Sequence, residues 1–202
     1  MGPGAFFHEP RQFEVLATGV LPQLAWTRRR LRLWSAGCGA GEEAWSLAMI
    51  VEEADLPAGV EVEIVATDAD PRAVATAAEA VYPDEQMRTV SAERRRRHFV
   101  RGVGPRRGLW RVTAPLRDRV ELCALDLDRP WLDRPGPAAP RFDVVFCRAP
   151  LTQRDPRAAE PLIHRLAAML APGGALFLGG PAPPALPGLD ACGPGVYRRC
   201  TR

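Results

Sequence analysis

Apolar residues along this chain fall into short runs that alternate with longer amphipathic segments. The runs that have the length of buried strands cover residues 31–34, 60–66, 120–125, 142–147 and 175–178. Between them, the spacing of apolar residues predicts helices over residues 6–26, 42–53, 71–81, 91–99 and 156–170. Strands that alternate with helices in this way predict an α/β fold, in which helices cover both faces of a mainly parallel sheet.

Two segments depart from this alternation. Residues 101–120 are rich in glycine and contain a brief alternating run at 109–112, which predicts a small β excursion from the main sheet. Residues 179–195 are rich in proline and glycine, and no element is assignable there before residues 196–198. Because the excursion is short, we expect residues 1–202 to form one domain.

Composition restricts the function classes. All 27 basic residues are arginine, and with 21 prolines this uniformity indicates GC-rich codons, so the net charge of +3 does not predict a nucleic-acid partner. No run approaches the roughly 18 apolar residues of a membrane span, and the start lacks a signal-peptide layout. We therefore expect a cytoplasmic protein without membrane insertion. The five cysteines lack metal-ligand spacing, so no metal site is expected.

A glycine-rich turn follows the first predicted strand, with glycines at Gly37, Gly39 and Gly41. The absence of side chains lets the backbone adopt positive φ and approach a ligand closely. In α/β sheets the first strand, turn and helix form the usual ligand cradle. Glycine-rich turns also occur as purely structural corners, an alternative that the three glycines by themselves leave open.

Acidic residues flank this turn at both sides. Asp68 lies at the tip of the second predicted strand, where a carboxylate can accept hydrogen bonds from both hydroxyls of an adenosine ribose. Asp70 is better placed to cap the next helix. Glu43 lies in the first turn of the first long helix and can pair with an ammonium group, whereas the helix dipole alone accounts for Glu42. Two acids at this helix start disfavour a pyrophosphate ligand.

Residues 33–49, LWSAGCGAGEEAWSLAM, resemble the cofactor-binding signature of the CheR-type chemotaxis methyltransferases, which transfer methyl groups from S-adenosylmethionine to receptor glutamates. Further matches follow in the same order: FF at 6–7, ATD at 66–68, RGVGPRRGL at 101–109, FDVVFCR at 142–148 and LAPGGALF at 170–177. This resemblance covers nearly the whole chain. It implies a Rossmann-like class I methyltransferase fold with a small β-subdomain insertion, S-adenosylmethionine as the cofactor and S-adenosylhomocysteine as the product.

The resemblance also assigns site residues. The cofactor-binding positions that it implies are Gly37, Gly39, Gly41, Glu43, Asp68, Asp126, Leu127 and Arg148. Asp126 stands where the family has an asparagine beside the adenine. His8 and Gln153 stand where the family places an arginine and a tyrosine near the transferred methyl group, and with Arg148 they are the candidate catalytic positions. His8 is either a surviving substrate contact or a half-exposed residue of a frayed terminus.

Other departures lie close to these positions. Gly4 replaces a threonine of the family, and Ala149-Pro150 replaces Asn-Val. The chain also begins almost at the Phe-Phe motif, so we expect the helical domain that usually precedes this motif to be absent, either removed or naturally missing. Residues 94–97 are expected to form a solvated helix face, with contact to an acidic receptor surface as the alternative.

The leading hypothesis is an S-adenosylmethionine-dependent O-methyltransferase that acts on glutamate side chains of a chemoreceptor cytoplasmic domain or another signalling protein. The alternative is a catalytically degenerate module that binds S-adenosylmethionine or S-adenosylhomocysteine and serves as a regulatory or scaffold subunit. The changes at residues 4, 8, 149 and 153 favour this alternative, and they also leave open a small-molecule acceptor. The β excursion either docks a receptor-tail peptide by strand addition or is a structural hairpin.

Overall fold

The strands form a seven-stranded main sheet and a separate three-stranded sheet. The computed structural model describes residues 4–129, 141–152, 154–180 and 186–200. In chain order the strands are β1 (Arg30–Ala36), β2 (Glu61–Asp68), β3 (Val81–Pro83), β4 (Phe99–Arg101), β5 (Leu109–Val112), β6 (Val120–Ala124), β7 (Phe142–Cys147), β8 (Leu170–Leu178), β9 (Leu189–Gly193) and β10 (Val196–Arg199).

Helices connect most of these strands. They are α1 (Pro10–Val15), α2 (Leu21–Thr27), α3 (Glu42–Glu53), α4 (Pro71–Glu79), α5 (Ala92–His98), α6 (Ala114–Arg117), α7 (Ala149–Thr152) and α8 (Pro156–Ala168). A π-helical turn at Leu16–Val20 joins α1 to α2, so the helix predicted from residue 6 begins at Pro10 and widens before Pro22. Proline has no N–H for the usual hydrogen bond to the preceding turn, which favours this widening. Within the described ranges, no helix has the length and apolarity needed to traverse a bilayer.

The main sheet has the order β6-β2-β1-β7-β8-β10-β9. The first five strands in this order, from β6 to β8, are parallel to one another, whereas β10 is antiparallel to both β8 and β9. The chain runs outward from β1 to β2 and β6 and then crosses to β7 on the other side of β1. This reversal of strand order opens a crevice at the carboxyl ends of β1 and β7, where ligands of such sheets bind.

Apolar residues are buried on both faces of the main sheet. One cluster packs α1, α2 and α3 against the sheet and includes Phe146, whose ring stacks on Phe177 at a centroid distance of 4.2 Å and on Phe13 at 5.4 Å. The other cluster packs α8 against the opposite face, around Trp34 and Leu166. The predicted α/β fold with helices on both faces is confirmed.

The small sheet is larger than the predicted β excursion. Its order is β3-β5-β4, with antiparallel pairing, so it draws on residues from Val81 onward rather than from 101. The prediction that Val81 ends a helix is wrong, because Ala80 adopts a left-handed conformation with φ of 53° and terminates α4. Phe99 likewise belongs to β4 rather than to the preceding helix, and α6 and Val120 lie beyond the small sheet.

One further prediction is wrong near the C-terminus, and one unassigned segment contains a strand. The turn expected at residues 172–174 lies inside β8, where the pairing with β7 shifts register and Gly173 takes a φ of 73°. Such a bulge keeps a strand continuous through residues whose sequence predicts a turn. The segment that had no assignable element contains β9, which pairs with β10.

The segment at residues 4–9 connects the small sheet to the rest of the molecule. The Phe6 ring is fully buried and makes edge contacts with Tyr82 of β3 and Phe99 of β4, at centroid distances of 4.9 and 5.5 Å. The backbone N–H of Phe7 donates a hydrogen bond to Ser46 Oγ at 3.0 Å. This segment is therefore fixed on both sides by buried contacts.

An ion cluster holds α5 against the end of α3. Arg94 donates to both carboxylate oxygens of Glu53, with a shortest distance of 2.7 Å, and its guanidinium lies 4.1 Å from the Phe7 ring centroid. His98 Nε2 lies 3.1 Å from Glu53 Oε1. The expected solvated face is therefore wrong for Arg94, whereas Arg96 is exposed.

We predict that Phe146→Ala lowers the free energy of unfolding by about 3–5 kcal/mol, because it removes a fully buried ring from a stack of three. Denaturant titration measures this loss. Trp26→Ala is the matched control, since that side chain is 82% exposed and its removal is expected to cost less than about 0.5 kcal/mol. Equal losses in the two variants would contradict the packing assigned to Phe146.

We also predict a stability loss on mild acidification. Burial lowers the pKa of His98, and Arg94 and His98 lower the pKa of Glu53 despite its burial. The unfolded chain therefore binds protons more readily than the folded one, so the free energy of unfolding should decrease as the pH falls below about 6.5. His98→Gln should flatten the upper part of this dependence in thermal unfolding followed between pH 7.5 and 5. An unchanged slope would contradict the role given to His98.

Candidate active site

The glycine-rich turn is fixed by hydrogen bonds to the neighbouring strand. The backbone N–H groups of Gly37 and Cys38 both donate to the carbonyl oxygen of Thr67 in β2, at 2.8 and 2.9 Å. Gly37 has a φ of 81°, and a Cβ there would lie 2.1 Å from Pro150 Cγ. Gly41 has a φ of 98°, and a Cβ there would lie 2.8 Å from Trp45 Nε1. Both positions therefore require glycine, for backbone conformation and for space.

A cavity of about 400 Å³ lies beside this turn, at the carboxyl ends of β1 and β7. The predicted site residues in its wall are His8, Gly37, Gly39, Glu43, Asp68 and Arg148. Its volume falls within the range of pockets for small ligands and cofactors. The structure thus brings together side chains that are up to 140 residues apart in the sequence.

Four predicted residues lie outside this wall or outside the described residues. Gly41 belongs to the turn, but a Cβ there would meet Trp45 and Tyr82 rather than the cavity. Asp126 and Leu127 follow β6, whose last residue Ala124 pairs with Asp68, so they lie at the same edge of the sheet. Leu127 is buried in the apolar cluster around α8, and Asp126 makes an ion pair with Arg129 at 3.3 Å. Their contact with an adenine stays a prediction. Gln153 lies outside the described residues.

A buried ion pair forms one side of the cavity. Arg148 Nε lies 2.6 Å from Glu43 Oε2, and Ser35 Oγ donates to Glu43 Oε1 at 2.6 Å. Arg148 also donates to the carbonyl oxygen of His8, and Glu9 Oε2 lies 4.0 Å from its Nη1. Arg148 is 4% exposed and Glu43 9%. The His8 backbone is thereby held at the cavity wall and is not frayed, whereas its contact with a substrate stays a prediction.

Asp68 holds the tip of the glycine-rich turn. Its carboxylate accepts hydrogen bonds from the backbone N–H of Gly39 at 2.8 Å and of Asp70 at 3.0 Å. The Asp70 side chain accepts from Arg72 N at 2.9 Å, so the predicted capping of α4 by Asp70 is confirmed. A carboxylate has about four acceptor sites. Asp68 therefore retains capacity for hydroxyl donors from a ligand.

Cys38 lies in the same wall but is not a nucleophile at neutral pH. Burial, together with the charges of Asp68 and Glu43, raises the pKa of the Cys38 thiol to about 12. The thiol stays protonated, and a neutral thiol is a poor nucleophile.

Sequence reasoning missed Glu42 as a site residue. This side chain lines the cavity and is only 4% exposed, and burial raises the pKa of its carboxyl, although its own backbone N–H acts in the opposite direction. The helix dipole explains an acid at this position without any burial, so the residue type alone gave no signal. The usable signal was the nearly unbroken apolar run at residues 44–51, because a helix that is apolar on every side leaves its first turn no exposed face.

Comparison with protein families decides the assignment. The family model for the CheR methyltransferase, SAM binding domain, matches residues 4–182. The chain belongs to the CheR methyltransferase family. The resemblance of the glycine-rich signature to CheR-type enzymes is therefore confirmed, and so is S-adenosylmethionine as the expected cofactor.

Individual CheR relatives cover most of the chain. Chemotaxis protein methyltransferase 2 of Pseudomonas aeruginosa is 36% identical over 175 residues, which make up 87% of this chain and 61% of the relative. The Salmonella typhimurium chemotaxis protein methyltransferase is 33% identical over 87% of this chain and 58% of its own length. Chemotaxis protein methyltransferase 1 of Pseudomonas aeruginosa is 37% identical over 96% and 72%. The chain thus spans about three fifths of the first two relatives.

A solved structure supports the class I fold of this CheR domain. The glycopeptide N-methyltransferase MtfA superposes with a TM-score of 0.50 at 17% identity, over 86% of this chain and 56% of that chain. At this identity the likeness concerns the fold alone. The main sheet therefore has the arrangement of a class I methyltransferase fold.

The cavity fits the cofactor that the CheR family implies. S-adenosylmethionine contains a ribose with two hydroxyls, a sulfonium and a zwitterionic amino-acid end. The cavity offers a turn without side chains at Gly39, an acceptor at Asp68, and the adjacent opposite charges of Glu43 and Arg148. These groups match the ligand in kind and in charge.

We predict that Asp68→Ala weakens S-adenosylmethionine binding at least about tenfold, because it removes a charged acceptor and releases the N–H of Gly39. Isothermal titration measures the dissociation constant. Asp70→Ala is the matched control: it removes the cap of α4 and should cost about 1 kcal/mol of stability with little change in affinity. Unchanged affinity in Asp68→Ala would show that the ribose lies elsewhere.

Proposed function

We propose that this protein is an S-adenosylmethionine-dependent O-methyltransferase that methylates glutamate side chains of a chemoreceptor cytoplasmic domain or another signalling protein. The observation that carries the proposal is the cavity at the reversal of strand order, in which Asp68, Glu43 and Arg148 meet beside the glycine-rich turn. The relatives named chemotaxis protein methyltransferases favour this enzyme over the non-catalytic module.

In this proposal each anchor binds a different part of the cofactor. Asp68 accepts hydrogen bonds from the ribose hydroxyls while it holds Gly39. Arg148 binds the carboxylate of the amino-acid end, and Glu43 pairs with its ammonium group. The Arg148–Glu43 ion pair therefore separates when the zwitterionic end of the cofactor binds between its two partners. Asp126 and Leu127 approach the adenine from the end of β6. Paired opposite charges at one wall select a zwitterion over a simple anion or cation.

The chemistry requires orientation rather than a strong base. The cofactor supplies a methyl group bound to a positively charged sulfur, which leaves as a neutral thioether. A glutamate acceptor is already ionised at neutral pH, so one of its carboxylate oxygens forms the new bond to carbon without proton transfer. The protein's contribution is to align acceptor oxygen, methyl carbon and sulfur, and to exclude water around them.

The acceptor side departs from the motif of the CheR resemblance at residue 8, and the proposal assigns His8 to this side. The His8 backbone is held by Arg148 at the cavity wall, which leaves its imidazole to contact the incoming carboxylate. A single imidazole does not reproduce the two-pronged contact of an arginine. We therefore expect methyl transfer by this protein to be slower than in relatives that carry an arginine there.

The small sheet supports a docking role for a receptor segment. Strand β4 lies at an edge of this sheet, and Val100 and Val103 expose 61% and 82% of their surface. Such an edge permits strand addition by an extended peptide. The receptor partner and the cytoplasmic location that it implies remain predictions.

Methyl transfer to receptor protein tests the proposal. The protein is incubated with S-adenosylmethionine labelled on the methyl group and with purified chemoreceptor cytoplasmic domain. Label that stays with the receptor and is released by mild base is expected, because a glutamate methyl ester hydrolyses under those conditions. Asp68→Ala serves as the binding-deficient control. Cofactor binding by titration without any base-labile label on receptor would overturn the proposed activity and leave the non-catalytic module.

A further inference from the structure

The cavity contains one buried carboxylate that no cation neutralises among the described residues. Glu43 is paired with Arg148, and Asp68 is held by two backbone N–H groups. Glu42, in contrast, is met among the described residues by its own backbone N–H and by Gln86 Nε2 at the long distance of 3.4 Å. An ionised carboxylate that is 96% removed from solvent is costly unless a donor or a cation meets it.

Open space adjoins this carboxylate. Glu42 and Gly4 both line the cavity, and Glu42 Oε1 lies 3.2 Å from the position that a Cβ would take at Gly4. Glycine has no side chain, so no hydroxyl or amide from residue 4 reaches the carboxylate. Glu42 therefore borders the ligand space of the cavity, and no side chain of residue 4 covers its carboxylate there.

In the placement of the cofactor that the proposed function gives, the order of its groups brings a positive charge to this region. Asp68 marks the ribose end, and the Glu43–Arg148 pair marks the amino-acid end. The sulfur atom connects these two parts of the cofactor. Glu42 precedes Glu43 in the first turn of α3 and belongs to the same wall.

We propose that Glu42 determines specificity for the charge on the cofactor sulfur, favouring the sulfonium of S-adenosylmethionine over the neutral thioether of S-adenosylhomocysteine. This inference rests on the cofactor site of the proposed function. The carboxylate stabilises the positively charged ligand before transfer and gives no such stabilisation to the product. Its role is electrostatic and requires no bond to be made or broken at Glu42.

The test compares the dissociation constants of the two ligands by isothermal titration at pH 7.5. In Glu42→Gln, which keeps the shape and removes the charge, binding of S-adenosylmethionine should weaken about tenfold, while that of S-adenosylhomocysteine should change less than about twofold. Glu42→Asp keeps the charge and should keep most of the ratio between the two dissociation constants. Glu52→Gln is the matched control at the far end of α3, where the carboxylate pairs with Arg119 at 2.6 Å, and it should leave both constants unchanged.

The outcomes separate this inference from the proposed function. If the unaltered protein binds neither ligand, the cofactor site itself is wrong. If it binds both, and Glu42→Gln weakens both equally or changes neither, Glu42 has no role in selecting the sulfur charge and only this inference is overturned. If Glu42→Gln binds neither ligand, Glu42→Asp decides, through the preference for S-adenosylmethionine given by the ratio of the two dissociation constants. A preference close to that of the unaltered protein supports the inference. Loss of the preference, although the charge is kept, overturns it.

Discussion

The buried ion pair between Arg148 and Glu43 is the interaction on which the site depends. Removing two charges from water costs several kcal/mol for each ion, and the pair offsets this cost only when further hydrogen bonds complete it. Here Ser35 completes the carboxylate and the His8 carbonyl completes the guanidinium. The end of β7, the start of α3, strand β1 and the segment at residues 4–9 must therefore come together in one arrangement. The cavity is the space that this arrangement leaves.

The spacing of apolar, glycine and capping residues predicted those elements whose structure depends on nearby residues. The alternation of strands and helices, the glycine-rich turn after β1 and the capping of α4 by Asp70 follow from residues within one element or its neighbour. The end of α4 did not, because Ala80 gives no sign that its backbone is left-handed until pairing with β5 requires β3 to begin at Val81. Long-range contacts decided that position.

The site residues also divide into those predictable from nearby sequence and those that depend on long-range contacts. The acids that would bind the cofactor were identifiable from their places at the ends of β2 and the start of α3. The pairing of Glu43 with Arg148 joins residues 105 positions apart, and spacing along the chain contains no trace of it. Glu42 was undervalued for a related reason: an acid in the first turn of a helix is usually exposed, and part of its burial comes from distant residues, Gly4 and Gln86.

The departures from the CheR pattern at residues 149 and 150 lie against the cofactor turn rather than in solvent. Pro150 approaches Gly37 so closely that any side chain at residue 37 would collide with its ring. The first helix after β7 thus covers the turn with a rigid residue. Ala149 and Pro150, which depart from the family pattern, therefore form part of the cavity wall.

The short segment at residues 4–9 contributes both to the core and to the cavity. Phe6 packs against the small sheet, and His8 and Glu9 line the cavity. Trimming the chain at its beginning, whether by a protease or by the choice of an expression boundary, would remove a core ring and a pocket wall in the same cut. Loss of ligand binding in such a shortened protein would say nothing about catalysis, because folding and recognition share those few amino acids.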